Sequence, residues 1–281
     1  MARILNFIGC ETIFSSANTV IIGYPYDGTS SYRPGSRFAP SAIREASDGL
    51  ETYSPYLNLS LDDKQICDLG DLTLPFGDKM RVLDMIQDKT RELLSASKGI
   101  LSLGGEHLIT YPIVKEFVKT FPNMIIIHLD AHADLRDEYL GEKESHTTVL
   151  RRIYDIVGPK KIYHFGIRSG TQEEFQFAKD YGHFHPYHLR MMESVLSEIP
   201  VETPIYLTID LDVLDPSVLP GTGTPEPGGI QFMELLSAIH AFRGKNLVGA
   251  DVVELAPDYD PTKVSSIVAA KAIRELLCLL K

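Results

Sequence analysis

Six acidic and imidazole side chains could hold metal ions together, because each stands at or just beyond the end of an apolar segment. They are His107, Asp130, His132, Asp134, Asp210 and Asp212. Carboxylates and imidazoles without thiolates favour a hard or borderline cation such as Mn²⁺ over structural zinc. Six ligands exceed what one catalytic ion with a bound water can use, but they suit two ions about 3.5–4 Å apart. Such a pair lowers the pKa of a water between the ions and supplies hydroxide near neutral pH.

The densest of these groups is Asp130-Ala131-His132-Ala133-Asp134, which follows a run of isoleucines. In a straight strand, Asp130 and Asp134 would lie ~13 Å apart at roughly 3.3 Å per residue, too far for one ion. The chain must therefore curl at the strand end, and the small Ala131 and Ala133 allow it. Unpaired carboxylates at the end of a buried strand are costly without a counter-charge. A bound cation is favoured over a solvated acidic turn.

Two other segments carry the remaining candidate ligands. Gly104 and Gly105 permit a tight turn directly before His107, although a histidine at such a position is, taken alone, more often a hydrogen-bonded structural residue than a ligand. Asp210 and Asp212 lie on one face of an alternating strand. Two neighbouring carboxylates repel each other unless they are protonated or bridged by a cation. The pair is therefore consistent with the same metal site.

Short apolar runs alternate with longer amphipathic ones, which predicts βαβ units and an α/β fold with a parallel sheet. The predicted strands are Thr19–Gly23, Gln65–Asp68, Gly99–Leu103, Met124–Leu129, Lys161–Gly166, Ile205–Asp210 and Leu247–Val253. The predicted helices are Met80–Ser97, Tyr111–Lys119, Ser145–Val157, Thr171–Tyr181, Gln231–Phe242 and Pro261–Leu280, with Gly99 and Gly244 placed after two of them as C-terminal caps. Long loops are predicted at 25–40, 134–144 and 214–229. No linker divides the chain, so residues 1–281 are predicted to form a single domain. The ligand crevice of such a sheet lies beyond the carboxyl ends of its strands, where the candidate ligands cluster.

The formal net charge of −11 makes nucleic acid or an anionic membrane a poor partner and suits a cationic ligand, although ordinary solvated surface charge explains it equally well. Cys10, Cys67 and Cys278 are widely spaced and odd in number, which indicates reduced thiols in the cytoplasm. The segment Met1–Phe14 lacks the features of a signal peptide. No run of about 18 apolar residues predicts a membrane span.

In their order and spacing, these motifs resemble the ureohydrolase family of arginases, agmatinases and their relatives. The resemblance extends from about Val20 to Lys271. It is carried by Gly23-Tyr24-Pro25-Tyr26-Asp27, Ser31-Tyr32-Arg33-Pro34-Gly35, Gly104-Gly105-Glu106-His107, Asp130-Ala131-His132-Ala133-Asp134, Ser145-His146, Asp210-Leu211-Asp212-Val213-Leu214-Asp215-Pro216, the loop 220–229 and Asp251-Val252-Val253-Glu254.

The resemblance implies a three-layer αβα fold, two Mn²⁺ ions and assembly into a homo-trimer or homo-hexamer. One ion would be held by His107, Asp130, Asp134 and Asp210, and the other by His132, Asp130, Asp210 and Asp212. Asp130 and Asp210 would bridge the two ions.

The resemblance also assigns catalytic roles. His146 would shuttle protons, and Glu254 would bind a guanidinium through paired hydrogen bonds. The hydroxide between the ions would attack the guanidinium carbon, and Asp134 or His146 would relay a proton to the leaving amine. Judged from the residues alone, the interpretation of His146 and Glu254 as structural polar residues is favoured over a catalytic one.

Several other polar residues are predicted to be structural. His128 is predicted to support the ligands or belong to the core, and Arg168 to form a structural salt bridge. The residues Asp68, Asp71 and Asp215 are interpreted as turn residues, and His164, His183, His185 and His188 as structural.

The substrate branch is predicted from Arg136 and Glu142, which stand where arginases contact an α-carboxylate. Their presence, with Pro225-Glu226-Pro227, favours agmatine as the small cationic substrate, giving putrescine and urea. Thr147 replaces a glycine of many relatives and leaves other substrates open: guanidinobutyrate, aminopropylagmatine, arginine or formiminoglutamate. A non-catalytic metal-binding homologue is the alternative from another functional class.

Overall fold

The computed structural model describes residues 5–280. Residues 1–4 and 281 of the predicted domain lie outside the described residues. The start of the segment 1–14, for which no signal peptide was predicted, is among them. Between residues 5 and 280, no helix is long and apolar enough to cross a membrane.

A parallel eight-stranded sheet forms the middle layer, with strand order β4-β1-β5-β10-β9-β6-β7-β8. In chain order the strands are Thr19–Tyr24 (β1), Tyr53–Ser54 (β2), Leu59–Ser60 (β3), Ile66–Asp71 (β4), Gly99–Gly104 (β5), Ile125–Leu129 (β6), Ile162–Phe165 (β7), His183–His185 (β8), Pro204–Asp210 (β9) and Asn246–Val253 (β10). The short strands β2 and β3 form a separate antiparallel pair.

Helices cover both faces of the sheet, which completes the three-layer αβα arrangement. They are Ala39–Ser47 (α1), Lys79–Ser95 (α2), Thr110–Thr120 (α3), Val149–Val157 (α4), Gln172–Tyr181 (α5), Met192–Glu198 (α6), Phe232–His240 (α7) and Val264–Leu279 (α8). Short 3-10 helices occupy Ser36–Phe38, Leu61–Asp63, His107–Ile109, His146–Thr148, Leu211–Val213 and Pro257–Tyr259.

The strands are apolar on both sides because each face of the sheet has its own hydrophobic core. In β6, Ile125, Ile127 and Leu129 pack into the core beneath α1, α6, α7 and α8. Ile126, which points the other way, packs into the core beneath α2, α3, α4 and α5. Burial on both faces is what gives parallel strands their continuous apolar composition.

The predicted strands and helices are all present, but five strands and α-helices were not predicted. Helix α1 begins inside the segment expected to be a loop, with Pro40 in its first turn. Strand β8 lies at the sheet edge and contains two histidines, so its sequence has no strong apolar pattern. Strands β2 and β3 are each only two residues long, which is too short for such a pattern. Helix α6 is only seven residues long.

One predicted cap is also wrong. Gly99 begins β5 rather than capping α2, and Ser97 adopts the left-handed conformation after that helix, with φ 56°. Gly244, with φ 80°, does follow α7 in that conformation.

Four adjacent strands position the candidate site. The order β5-β10-β9-β6 brings the carboxyl ends of these strands side by side at one edge of the sheet. In register, Val253 pairs with Asp210 and Leu129 with Ile209, so these strands end at nearly the same level. The segments that follow them therefore meet above the sheet.

Candidate metal centre and active site

His107 is surrounded by three carboxylates from two other segments of the chain. Its Nδ1 atom lies 3.1 Å from Asp130 Oδ2, 3.2 Å from Asp134 Oδ2 and 3.4 Å from Asp210 Oδ2. All four side chains are buried. The structure thus brings together the four residues expected to hold one ion.

His132 faces a second group of carboxylates. Its Nδ1 atom lies 2.9 Å from Asp212 Oδ2 and 3.7 Å from Asp130 Oδ1. Asp130 therefore has one oxygen toward each histidine, which is the arrangement a bridging carboxylate needs. Asp130, His132 and Asp212 place ligand atoms close enough together to hold one ion.

Backbone amides fix the carboxylates on this side of the cluster. The His132 amide donates to Asp130 Oδ1 at 2.6 Å, and the Ala131 amide donates to Asp212 Oδ1 at 3.1 Å. The Asp212 amide donates to Asp210 Oδ1 at 2.9 Å. The two acidic segments are therefore held against each other.

The curl predicted after β6 is present and includes an unusual backbone conformation. Asp134 has φ 53°, in the left-handed region that non-glycine residues rarely adopt. Asp130 and Asp134 consequently reach the same atom of His107. Glu254 also lies in this region, with φ 65°. Such strain clusters at functional sites, where the surrounding structure over-determines the conformation.

The residues fit a divalent cation. The Nδ1 atom of His107 is buried and has no hydrogen-bond partner, although three carboxylate oxygens surround it. Burial, together with the charges of Asp212 and Asp130, holds the pKa of Asp210 well above its usual range. Burial and the charge of Asp130 raise the pKa of Asp134 to about 7. Within residues 5–280, no lysine or arginine forms an ion pair with the cluster, so a metal would supply the missing positive charge.

Glu254 lies beside the cluster at the end of β10. Its Oε1 accepts a hydrogen bond from the His107 amide at 2.8 Å. Burial and the nearby Glu106 hold the pKa of Glu254 well above its usual range, because both disfavour its negative charge. A cationic ligand would relieve this cost.

His146 is held in place by the loop between β1 and α1. Its Nε2 lies 3.1 Å from Ser31 Oγ, and its backbone amide donates to Thr29 Oγ1 at 3.1 Å. Thr29 is in turn fixed by Glu106, whose Oε2 accepts from the Thr29 amide at 2.9 Å. Burial, reinforced by His132 and His107, lowers the pKa of His146 to about 4.

A cavity of about 290 Å³ opens above these groups. Its lining includes His132, Asp134, His146, Asp210 and Glu254, so the metal cluster and both catalytic candidates face one space. The lining is completed by Ser31, Ala133, Arg136, Thr147, Ser169, Gly170, Thr171, Glu174 and Thr224.

The sequence and the fold both match a known family. The profile of the "Arginase family" matches residues 17–278. The chain belongs to the arginase family. An agmatinase from Bacillus cereus is 49% identical over 275 residues, covering 96% of this chain and 94% of that protein.

Two further relatives extend the comparison within the arginase family. The crystal structure of a putative agmatinase from Clostridium difficile superposes with a TM-score of 0.93 at 46% identity, covering 95% of this chain and 98% of that one. An N(1)-aminopropylagmatine ureohydrolase from Thermococcus kodakarensis is 38% identical over 89% of this chain and 87% of that protein.

The positions that distinguish branches of the arginase family are only partly in the cavity. Arg136 and Thr147 line it. Glu142 does not, and it forms an ion pair with Lys79 while remaining well exposed. The distinction drawn from sequence therefore depends on Arg136 more than on Glu142.

Three of the sequence interpretations need correction. Arg168 forms no salt bridge in the described part of the chain, and its guanidinium instead donates to the backbone carbonyls of Asp212 and Glu226. Asp68 and Asp71 are strand residues of β4 that pair with Arg44, rather than turn residues. Only tertiary structure brings these partners together.

Two other interpretations agree with the structure. Asp215 is a turn residue: it accepts hydrogen bonds from Ser217 and from the amides of Gly228 and Gly229, which ties down the loop 214–229. His128 supports the cluster, because its Nε2 lies 2.8 Å from Asp130 Oδ2.

Sequence reasoning missed the supporting role of Thr208 and Asp251, both fully buried next to His107. A signal for Thr208 was present, since it shares the strand face of Asp210 and points toward the cluster. Glu174, which lines the cavity from α5, was also missed, although the pattern Thr171-x-x-Glu174 indicates the capping box that it forms.

Proposed function

We propose that this protein is an agmatinase that uses two Mn²⁺ ions to hydrolyse agmatine and one water to putrescine and urea. The observation that carries the proposal is the cavity in which a buried carboxylate, Glu254, stands beside a cluster of metal-ligand side chains. The agmatinase from Bacillus cereus, at 49% identity, supports the same substrate.

The chain offers two sets of ligands for the metal ions. His107 and Asp134 would hold one ion, His132 and Asp212 the other, and Asp130 and Asp210 both. Carboxylates and imidazoles without thiolates suit Mn²⁺. When bound, the two ions would lower the pKa of water between them and act as Lewis acids.

Glu254 would bind and orient the guanidinium. A carboxylate accepts two parallel N–H bonds from this planar cation. Its position 2.8 Å from the His107 amide couples the substrate site to the metal cluster. The raised pKa of Glu254 means that its charge is unfavourable until a cation arrives, so substrate binding and ionisation reinforce each other.

His146 and Asp134 are the groups proposed to move protons, because both line the cavity next to the position of the guanidinium. Burial lowers the pKa of His146 to about 4, so its imidazole is neutral near neutral pH. Ser31 and Thr29 contact the ring. The neutral imidazole would take up a proton released as water adds to the guanidinium carbon, and would pass it to the leaving amine.

The other end of agmatine is an ammonium group, and Glu174 is the cavity carboxylate proposed to attract it. Among the lining residues, Glu174 is the only acidic side chain outside the metal cluster and Glu254. Arg136 Nε already lies 3.7 Å from Glu174 Oε2, so a substrate ammonium must share this carboxylate with Arg136 or displace it. N1-aminopropylagmatine, with its longer tail, is the second candidate because of the Thermococcus kodakarensis relative.

Urea release from agmatine, N1-aminopropylagmatine, 4-guanidinobutyrate and L-arginine tests the proposal, each with Mn²⁺ and with chelator. We expect Mn²⁺-dependent turnover with the highest kcat/KM for agmatine. A higher kcat/KM for another guanidine would identify that compound as the substrate, and the proposed Mn²⁺-dependent hydrolysis would still hold. Binding of Mn²⁺ without urea from any of the four would favour a non-catalytic metal-binding protein.

Assembly and location are proposed on the same resemblance. We expect a homo-trimer or homo-hexamer in the cytoplasm. A surface groove lined by Leu5, Phe38, Ala42, Pro257 and Ile267 offers apolar area for contacts between copies. Light scattering after size-exclusion chromatography measures the mass, and a monomer of 31.3 kDa would contradict this part of the proposal.

A further inference from the structure

A chain of hydrogen-bonding groups runs from the metal cluster through the sheet to helix α4. Asp130 Oδ2 lies 2.8 Å from His128 Nε2, and His128 Nδ1 lies 2.9 Å from His164 Nδ1. His164 Nε2 lies 2.9 Å from the Tyr154 hydroxyl. The two histidines are fully buried and face each other across paired residues of β6 and β7.

With both imidazoles neutral, the direction of every hydrogen bond follows from the carboxylate of Asp130. An ionised carboxylate only accepts, so His128 must carry its proton on Nε2. The Nδ1 of a neutral His128 is then an acceptor, and His164 must donate from Nδ1. This leaves His164 Nε2 as an acceptor, to which the Tyr154 hydroxyl donates.

Burial keeps the members of this chain in the protonation states that it requires. It holds the pKa of His164 well below the usual range, so this ring is neutral. Burial also raises the pKa of Tyr154, so its hydroxyl keeps the proton it donates.

We propose that Tyr154 is a positioning residue of the metal centre: through its hydrogen bond to His164 it holds the rings of His164 and His128 in place, and thereby the carboxylate of Asp130. This inference rests on the proposed metal centre. Groups that hydrogen-bond to metal ligands orient them and tune their affinity for metal. Tyr154 would orient Asp130 indirectly, because the imidazoles of His128 and His164 lie between them.

Loss of the Tyr154 hydroxyl would disturb the whole chain. His164 Nε2 would be a buried acceptor without a donor, so one of the two hydrogen bonds that hold the His164 ring would be missing. The ring of His128, which is bonded to His164 on one side and to Asp130 on the other, would then be held less firmly.

Gly182 shows that the fold reserves space for this hydroxyl. A Cβ atom at position 182 would lie 2.3 Å from the Tyr154 hydroxyl oxygen and 3.1 Å from a ring carbon of His164. The backbone of Gly182 has φ −106°, which any residue can adopt, so the glycine is required for room and not for conformation.

The first test is Tyr154→Phe, which removes the hydroxyl and keeps the ring that packs on Phe177. Solid-state NMR of the chelator-treated full chain, with ¹⁵N in its histidine rings, reads the tautomers. We expect His128 protonated on Nε2 and His164 on Nδ1 in the native protein. The signals of His164 should change in Tyr154→Phe, and His164→Asn and His128→Gln identify the two resonances.

The second test is calorimetric titration with Mn²⁺. We expect Tyr154→Phe to weaken Mn²⁺ binding by about 10-fold, the lower end of what such supporting groups contribute. KM for agmatine at saturating Mn²⁺ should stay unchanged, because Tyr154 does not line the cavity. The matched control is Tyr163→Phe, whose ring lies on the same strand as His164 and stacks on His183.

A rescue pair separates positioning from packing. His128→Gln retains an N–H donor near the position of Nε2, whereas His128→Leu has none. We expect Gln to keep Mn²⁺ affinity much closer to native than Leu does.

Native Mn²⁺ affinity in Tyr154→Phe, or His164 signals that do not change, would overturn the inference, as would the opposite tautomers in the native protein. If the native protein binds no Mn²⁺, the proposed metal centre fails instead, so the two failures are distinguishable.

Discussion

The imidazole of His107 and the carboxylate of Asp251 are joined by the hydroxyl of Thr208. His107 Nε2 lies 2.9 Å from Thr208 Oγ1, which donates to Asp251 Oδ1 at 2.6 Å. Because the hydroxyl proton goes to Asp251, Thr208 must accept from His107 Nε2–H. The lone pair of a neutral His107 is then on Nδ1, which faces three carboxylates, so a proton or a metal cation is needed between them.

This relationship predicts the effect of Thr208→Val, which has nearly the same shape but no hydroxyl. The variant should bind Mn²⁺ about 10- to 100-fold more weakly, because His107 loses the partner that fixes its tautomer. Calorimetric titration measures the affinity. Thr208→Ser, which keeps the hydroxyl, is the control, and equal affinities for Val and Ser would contradict the prediction.

The sequence predicted that the six candidate ligands lie together, because each group is local and ends an apolar strand. The type and spacing of Asp130, His132 and Asp134 required a curled strand end, and Asp210 and Asp212 shared one strand face. Parallel strands then brought these ends together, as general rules for α/β sheets dictate.

The rest of the site depends on contacts between distant residues. Asp251 reaches Thr208 across 43 positions of the chain, and Thr29 reaches His146 across 117. Hydrophobic periodicity carries no information about such pairs. Glu254 was assigned through the family resemblance alone, since one glutamate after a strand has no distinctive pattern.

Replacing the carboxylate of Asp210 should have opposite effects on thermal stability in the metal-free and the Mn²⁺-bound protein. Asp210→Asn should raise the melting temperature of the metal-free protein, because burial and the charges of Asp212 and Asp130 make a carboxylate at 210 unfavourable. Mn²⁺ at 100 times its Kd should raise the free energy of unfolding of the native protein by about 2.7 kcal/mol. Asp210→Asn should lose this gain, because it lacks one of the proposed ligands. Thermal unfolding with chelator and with Mn²⁺ measures both effects.

The sign of the pH dependence follows from the raised pKa of Asp210. The folded metal-free protein holds a proton there that the unfolded chain releases, so this group's contribution to stability falls as pH rises above the usual aspartate pKa. The melting-temperature gain of Asp210→Asn should therefore be larger at pH 7.5 than at pH 5. Asp84→Asn, at an exposed position on α2, is the control, and an equal gain at both pH values would refute the explanation.

Glu254→Gln should separate substrate binding from metal binding. The amide can still accept from the His107 amide, but it offers no charge to a guanidinium. We expect kcat/KM for agmatine to fall about 100-fold, within the range for truncating a buried charge pair. Mn²⁺ affinity should remain within about 3-fold of native, since Glu254 is not proposed as a ligand. Loss of metal binding in this variant would mean that Glu254 belongs to the metal site.

A second buried carboxylate, Glu275, predicts a stability effect far from the cavity. On α8 it accepts hydrogen bonds from Ser54 at 2.7 Å and His240 at 2.8 Å, and it pairs with Arg274. Burial alone would raise the pKa of Glu275, but these partners outweigh burial and lower it. Glu275→Gln leaves Arg274 buried without its charge partner, so we expect unfolding at pH 7 to require about 3 kcal/mol less free energy.

The pH dependence distinguishes this ion-pair network from simple packing. A carboxylate with a lowered folded pKa stabilises the protein above the pKa of the unfolded chain, and this stability disappears as pH falls through the folded pKa. The difference between native protein and Glu275→Gln should therefore be full at pH 7 and shrink below the usual glutamate pKa of about 4.3. Urea unfolding at several pH values measures it. Glu45→Gln removes an exposed pair with Lys263 and should cost less than about 1 kcal/mol. A difference for Glu275→Gln that is independent of pH would assign the effect to packing instead.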